Sequence, residues 1–146
     1  MAGIIFDSTV YINLLRSNEF AELSQFRTGD ETSGISTPLY LSSVVLEELY
    51  VGAVDQNVKK LIAGLEKSFG KINRLVTPTR DDWSVSGQVL CGIGQKHGFE
   101  SVRLARMTND CLIAMSALRN GLTVVTHNAK DFRTIASFRR FNFVEI

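Results

Sequence analysis

The sequence predicts an α/β domain with a mainly parallel central sheet of four to five strands flanked by helices. Short apolar runs alternate with amphipathic helical patterns, which is the order of elements that a parallel sheet requires. Hydrophobic residues make up 45% and charged residues 21% of the 146 residues, enough for one globular core. Since neither an internal repeat nor a linker is present, we expect residues 1–146 to form a single domain.

The first half of the chain contains apolar runs, each bounded by residues that cap helices or form loops. Ile-Ile-Phe ends at Asp7, as a buried strand would, and Pro38 separates a polar loop from the next apolar run. Gly52 interrupts a helical pattern, and we expect it to mark close backbone packing. The predicted elements are the strand Gly3–Phe6, a helix capped by Ser8 or Thr9, the helix Glu19–Phe26, the loop Thr28–Thr37, the strand Leu39–Leu41, the helix Val44–Val54 capped by Ser42 or Ser43, and the helix Gln56–Phe69.

The second half repeats the alternation. Thr79 is a good cap, Asp81 and Asp82 favour the first turn of a helix, and Gly98 is typical of its end. The predicted elements are the strand Leu75–Val76, a helix from Thr79 towards Lys96, the mixed basic segment Phe99–Met107, the helix Asp110–Arg119 capped by Thr108 or Asn109, the strand Leu122–Val125, a turn or short helix at Asp131–Ile135, and the strand Phe141–Ile146.

Polar residues follow two of the predicted strands. Asp7 follows the first strand, and Thr126 and Asn128 follow the strand Leu122–Val125. Sites in open parallel sheets form at the carboxyl ends of the strands. The sequence therefore predicts that these side chains meet at one edge of the sheet.

Four acids are candidates, each with a structural alternative. Asp7 is either a site carboxylate or a helix cap. Glu47 and Glu48 are about 100° apart on a predicted helix, so only one can face a site, and we expect Glu47 to be solvated. Asp110 opens an apolar helix, where it is either a first-turn acid or a buried charge that needs a partner or a metal. Asp131 by itself is a loop acid.

Composition and charge exclude several classes of protein. Cys91 and Cys111 form no CxxC pair, and neither histidine has metal-ligand spacing, which disfavours a zinc site. Residues 1–58 carry two basic and eight acidic side chains, residues 59–98 seven and three, and residues 99–146 seven and four. An acidic first third and a basic remainder are consistent with a cation-binding site beside a polyanion-binding site. A chance distribution of charged residues along the chain explains them equally well. With no membrane-length apolar run and no basic signal-peptide segment, we expect a cytoplasmic protein.

Four short motifs in order resemble the PIN-domain family, and most closely its VapC-type toxins of toxin–antitoxin pairs. They cover nearly the whole chain and are, in order, Ile-Ile-Phe-Asp7-Ser-Thr-Val, Ser43-Val-Val-Leu-Glu-Glu48-Leu-Tyr-Val-Gly52, Asn109-Asp110-Cys-Leu-Ile-Ala-Met-Ser-Ala, and Leu122-Thr-Val-Val-Thr126-His-Asn-Ala-Lys-Asp131-Phe. Thr9 departs from the Asn that many members have two residues after the first acid, which leaves the surroundings of Asp7 open.

The resemblance implies a single PIN-like domain with metal-dependent endoribonuclease activity and products with 5′-phosphate and 3′-hydroxyl ends. The family's metal and catalytic acids fall on Asp7, Glu48 and Asp110, and the fourth on Asp131, with Asn128 as an alternative. Thr126, Asn128 and Thr9 would support these acids, and His127 is a loop residue.

Carboxylates brought together repel one another, and Mg²⁺ or Mn²⁺ relieves that repulsion with the oxygen ligands it prefers. Substrate RNA, expected to be single-stranded or looped, needs cations outside the cluster. The resemblance also implies a cognate antitoxin protein and a homodimer. The candidate RNA contacts are Arg103, Arg106, Lys130 and Arg133.

Two alternatives stay open at this point. The run around Asp7 superficially resembles the nucleophile strand of haloacid dehalogenase-like phosphatases, although Thr9 stands where those proteins usually carry a second Asp. A non-catalytic PIN-like protein that binds RNA or a partner is the other alternative, and the presence of all four acids disfavours it.

Overall fold

The computed structural model of the protein describes residues 2–19 and 37–146, and it contains one parallel five-stranded sheet. The strand order is β3-β2-β1-β4-β5, with every neighbouring pair parallel. The predicted fold class is therefore confirmed. The strands are β1 Ile4–Phe6, β2 Leu39–Ser42, β3 Leu75–Val76, β4 Thr123–Thr126 and β5 Phe143–Glu145.

Six helices lie in the described part of the chain. The predicted helix Glu19–Phe26 and the loop Thr28–Thr37 fall largely outside the described residues. The helices are α1 Ser8–Arg16, α2 Ser43–Val51, α3 Gln56–Lys71, α4 Arg80–His97, α5 Ala105–Arg119 and α6 Lys130–Phe138. None of them combines the length and apolar character that crossing a membrane requires.

The strand order places a crevice beside β1. The chain proceeds from β1 outwards to β3 and then returns to the other side of β1 with β4, so the direction of winding reverses between β1 and β4. Phe6 pairs with Val125, so Asp7 and Thr126 follow in register at the carboxyl edge. Open α/β sheets bind ligands at such a reversal.

The core is built around α5, which packs against α2, α4, α6 and β4. Its sequence is apolar or small over most of its circumference, and this predicts a buried helix. The structure confirms burial for Met107 and for every residue from Cys111 to Ala117. The burial of α5 fixes the position of the acid that it carries, Asp110.

The start of α5 differs from the prediction. The helix begins at Ala105, after Leu104, and not at Asp110, and neither Thr108 nor Asn109 caps it. Ala, Arg and Met are strong helix formers, and they extend the helix by more than a turn through the basic segment. Asp110 therefore lies in the second turn, where it is not a first-turn acid.

Other predicted boundaries need smaller corrections. Asp7, and not Ser8 or Thr9, caps α1. Gly52 is not inside α2 but follows its last residue, and a Cβ there would make only ordinary contacts. Of the turn or short helix predicted at Asp131–Ile135, the structure has a helix, the longer α6, and β5 is shorter than predicted. Thr79 and Gly98 bound α4 as predicted.

An ion pair to the buried Asp82 joins α4 to α5. Asp82, 4% exposed, accepts the Thr79 N–H in a capping box. The Nε of Arg119 donates to Asp82 Oδ2 at 2.9 Å, and its terminal nitrogen donates to the Thr77 carbonyl at 3.3 Å. A single side chain of α5 thereby neutralises a buried acid at the start of α4.

Replacement of Arg119 by Ala is expected to lower the free energy of unfolding by roughly 3 kcal/mol, because it leaves the buried Asp82 charge without its partner. Urea denaturation of Arg119→Ala measures the loss. The matched control is Arg140→Ala at an exposed position, where we expect a change within about 0.5 kcal/mol. Equal stability of the two variants would contradict this role for the ion pair.

Candidate functional site

Asp7 lies at the carboxyl end of β1, and its side chain is almost fully buried. Its Oδ1 accepts the Thr9 N–H at 3.1 Å and so caps α1, which confirms the cap alternative of the sequence analysis. Burial raises the pKa of Asp7 above its usual value, while hydrogen bonds from Thr126 and Thr9 lower it. The carboxylate is thus held in place by the fold itself.

Two threonine hydroxyls hold the Asp7 carboxylate. Thr126 Oγ1 donates to Asp7 Oδ2 at 2.6 Å, and Thr9 Oγ1 donates to Oδ1. Each hydroxyl also accepts a backbone N–H of the loop after β4, from Asn128 at 3.0 Å for Thr126 and from His127 at 3.0 Å for Thr9. The residue that departs from the family pattern, Thr9, therefore reaches the carboxylate and ties α1 to β4.

Glu48 enters this region from α2. Its Oε1 is buried and has no hydrogen-bond partner, whereas Glu47 on the same helix is exposed, as predicted. Burial, followed by the charges of Glu47 and Asp7, raises the pKa of Glu48 to about 7, although Ser8 and Asn109 lower it in part. Ser8 and Asn109 are polar neighbours that the sequence analysis did not assign to Glu48.

Asp110 comes from α5 and completes the group. Burial, followed by the charges of Asp7, Glu48 and Asp131, raises the pKa of Asp110 to about 8, although Arg106 lowers it in part. The structure therefore brings the four predicted acids within electrostatic range of one another. We name Asp7, Glu48 and Asp110 the acid cluster.

The carboxylates of the acid cluster are not packed as a closed ligand cage. Within residues 2–19 and 37–146, no three acidic, histidine or cysteine side chains stand close enough together to enclose a metal ion. The Oε1 atom of Glu48 is nevertheless buried without a hydrogen-bond partner, so it is available as an oxygen ligand. An ion that keeps several of its waters, as Mg²⁺ does, suits such an open set of carboxylates.

Asp131 and Asn128 occupy different positions. Asp131 lies in the first turn of α6 and pairs with Arg106 of α5, whose Nε is 3.2 Å from Oδ2. Asn128 is exposed, and its Oδ1 accepts the Lys130 N–H at 3.4 Å at the start of the same helix. Of the two alternatives for the fourth acid position, Asp131 is the one whose charge acts on Asp110.

The four candidate basic residues are all exposed, and two of them already have acidic partners. Arg106 pairs with Asp131, and Arg133 donates to Glu145 Oε1 at 3.0 Å. Arg103 and Lys130 form no ion pair with any described residue. Positive charge therefore lies close to the acid cluster, and Arg106 is the candidate whose charge lowers the pKa of Asp110.

Comparisons with known proteins identify the fold. A sequence model described as PIN domain matches residues 4–137. A comparison with curated proteins finds no match.

Solved structures of VapBC proteins resemble the chain over nearly its full length. A DNA-bound VapBC from Salmonella typhimurium has a TM-score of 0.65 at 20% identity, with 99% of this chain and 98% of that chain covered. VapBC2 from Rickettsia felis, bound to a promoter DNA fragment, has a TM-score of 0.63 at 17% identity, with 98% of each chain covered. VapBC-1 from nontypeable Haemophilus influenzae has a TM-score of 0.61 at 21% identity, with 97% of this chain and 96% of that chain covered. At such identities, the likeness is one of fold.

Replacement of Thr126 by Val is expected to lower the free energy of unfolding at neutral pH by about 2 kcal/mol. The isosteric side chain cannot donate to the buried Asp7 carboxylate, nor accept the Asn128 N–H. Thermal denaturation measures the loss, and Thr134→Val, which removes an exposed hydroxyl bonded to the Lys130 carbonyl, is the matched control. A loss no larger than that of the control would contradict the proposed tie.

Without divalent cations, the free energy of unfolding is expected to fall as pH rises from about 4 to about 8. The folded chain keeps protons on Glu48 up to about pH 7 and on Asp110 up to about pH 8, whereas the unfolded chain releases them near pH 4. The folded state binds more protons in this window, so stability present at low pH is lost as pH rises, by at most about 1.4 kcal/mol per pH unit for each such carboxyl.

Denaturation of the wild-type protein and Asp110→Asn across that pH range in EDTA measures the slope. Asn cannot ionise, so the variant should lose less stability as pH rises. Glu100→Gln, at an exposed position, should keep the wild-type slope. An unchanged slope in Asp110→Asn would show that this carboxyl does not titrate as stated.

Proposed function

The chain belongs to the PIN-domain family, and on that premise we propose that it is a metal-dependent endoribonuclease that hydrolyses RNA phosphodiester bonds. The observation that carries the proposal is the acid cluster at the strand-order reversal, where Asp7, Glu48 and Asp110 come from three separate elements. Burial raises the pKa of all three acids, and repulsion from the other acids raises those of Glu48 and Asp110 further. A fold does not keep such a cluster for stability alone, because uncompensated carboxylates destabilise it.

A divalent cation fits the residues present. The cluster offers carboxylate oxygens, one of which has no partner, and neither histidine nor cysteine belongs to it. This donor set suits Mg²⁺ or Mn²⁺ and not Zn²⁺. In our proposal Asp7 and Asp110 hold the cation, and Glu48 and Asp131 complete its surroundings. When bound, such an ion polarises a phosphoryl oxygen and lowers the pKa of a bound water.

Glu48 is the residue that we assign to the attacking water. It enters the acid cluster from α2, and a carboxylate there can accept a proton from the attacking water. Its unpartnered Oε1 leaves an oxygen for this contact. Thr9 and Thr126 keep Asp7 in one orientation while the water attacks the phosphorus. Hydrolysis then leaves a 5′-phosphate and a 3′-hydroxyl.

Basic side chains must hold the phosphates of the substrate RNA, because the acid cluster repels them. Arg103 and Lys130 have no ion pair among the described residues, and we assign them to RNA phosphates. Arg106 and Arg133 contribute where RNA replaces Asp131 and Glu145 as their partners. The Arg133–Glu145 pair is exposed on both sides and is therefore worth little, whereas Asp131 of the other pair is half-buried.

The protein is further proposed to be the toxin of a type II toxin–antitoxin pair. The similar structures are VapBC proteins, and one member of that set is described as a member of the VapBC family of toxin-antitoxin systems. The cognate antitoxin would place a basic side chain among the acids, much as Arg106 already pairs with Asp131. We also propose that the chain forms a homodimer and acts in the cytoplasm.

The phosphatase alternative rests on the likeness of the run around Asp7 to a nucleophile strand, and Thr9 stands where those phosphatases usually carry a second Asp. The family match is also to the PIN domain. We therefore do not propose phosphatase activity.

Purified protein is expected to cleave a mixed pool of single-stranded RNA in Mg²⁺ or Mn²⁺ and to be inactive in EDTA. Asp110→Asn should lower the rate by roughly 100-fold or more, because a metal centre supplies several kcal/mol of transition-state stabilisation. Glu100→Gln, which removes an exposed acid outside the cluster, should cleave at the wild-type rate. Cleavage in EDTA, or equal cleavage by Asp110→Asn, would contradict the proposal.

A further inference from the structure

A groove lies beside the acid cluster, between α2, the end of β3, α4 and α5. Trp83 of α4 is the only tryptophan of the chain, and it is 57% exposed at the edge of this groove. An exposed indole is a large apolar surface with a π-face that accepts stacking partners. Other residues that line the groove are Thr77, Pro78, Glu47, Asn109 and Leu112.

The groove and the acid cluster share a wall. Glu47 and Asn109 line the groove, and each immediately precedes an acid of the cluster in sequence, Glu48 and Asp110. Asn109 Nδ2 donates to Glu47 Oε2 at 3.3 Å, and the same side chain is a polar neighbour of Glu48 that lowers its pKa. An RNA strand whose phosphate lies at the acid cluster can therefore place a neighbouring nucleotide in this groove.

We propose that this groove is a nucleobase subsite, in which one base of the substrate RNA stacks on Trp83 and donates an amino hydrogen to Glu47. The inference rests on the proposed ribonuclease function and names its base preference. Stacking on an aromatic side chain is how proteins hold unpaired bases. Among the described residues that line the groove there is no lysine or arginine, so the groove suits a base and not a phosphate.

The chemistry of Glu47 sets the preference. A carboxylate only accepts hydrogen bonds, and it recognises the amino groups of cytosine, adenine and guanine. Uracil has no amino group, and its single Watson–Crick donor, N3–H, lies between two carbonyl oxygens that a carboxylate repels. The subsite therefore selects a base with an amino group next to the bond that is cut and disfavours uracil there.

Trp83 reports its own occupancy, since no other tryptophan contributes to the fluorescence. The experiment titrates Asp110→Asn protein in Mg²⁺ with short oligo(A), oligo(C) and oligo(U) and records Trp83 emission. We expect quenching by oligo(A) and oligo(C), and binding of oligo(U) that is roughly 10-fold weaker. When Glu47→Gln is added to the Asp110→Asn protein, the difference in affinity between oligo(U) and the other two should become smaller, because an amide also donates to uracil. Adding Glu100→Gln instead should leave that difference unchanged.

Cleavage assays on the otherwise wild-type protein give a second readout. Trp83→Ala should raise KM by roughly 10-fold with little change in kcat, and Trp83→Phe should recover most of the loss because its ring still stacks. Quenching that is absent, or equal for oligo(U) and oligo(A), would overturn the subsite. So would emission that responds to a partner protein and not to RNA, which would assign the groove to that partner.

The two proposals fail in distinguishable ways. Metal-dependent cleavage with an unchanged KM in Trp83→Ala and no quenching would leave the ribonuclease and remove the subsite. Base-selective quenching without any cleavage by the wild-type protein would keep the base-binding groove and remove the ribonuclease.

Discussion

The buried carboxylate of Asp7 is the constraint on which the site depends. It follows the central strand, caps α1, and accepts hydroxyls from Thr9 of α1 and Thr126 of β4. A buried carboxylate without such donors would destabilise the fold, so the hydroxyls and the acid are required together. Because those hydroxyls also accept the N–H groups of His127 and Asn128, one side chain fixes the relative positions of β1, α1 and the loop after β4.

The carboxylates of the acid cluster repel one another, whereas the packing of the helices that carry them keeps them close together. α5 holds Asp110 in place through its apolar surface, which packs against α2, α4 and α6, and Glu48 comes from α2. The pKa values of Glu48 and Asp110 rise as a result, and the charge of Arg106 offsets part of the rise for Asp110. A cation would relieve the repulsion that remains. The repulsion that makes the acid cluster unfavourable by itself would thus favour the binding of the divalent ion that we propose.

Local sequence patterns predicted the sheet and the strand-end position of Asp7, because both depend on short-range alternation and on strand polarity. They failed at the start of α5, where Thr108 and Asn109 have the composition of a cap but lie inside a helix that Ala105 begins. They also could not assign Trp83, since a lone aromatic residue in an amphipathic helix has no distinguishing spacing. Only the packing of α4 beside α2 and α5 places Trp83 in the same groove as Asn109.

Direct measurement of cation binding tests the central claim that the acid cluster is a divalent-metal site. Titration of the protein with Mn²⁺, followed by the electron paramagnetic resonance signal of the free ion at neutral pH, requires neither RNA nor a partner. The account predicts binding by the wild-type protein and by Glu100→Gln, and its loss in Asp7→Asn and Asp110→Asn variants that remain folded. Absence of binding by the wild-type protein, or equal binding by folded Asp110→Asn, would contradict it.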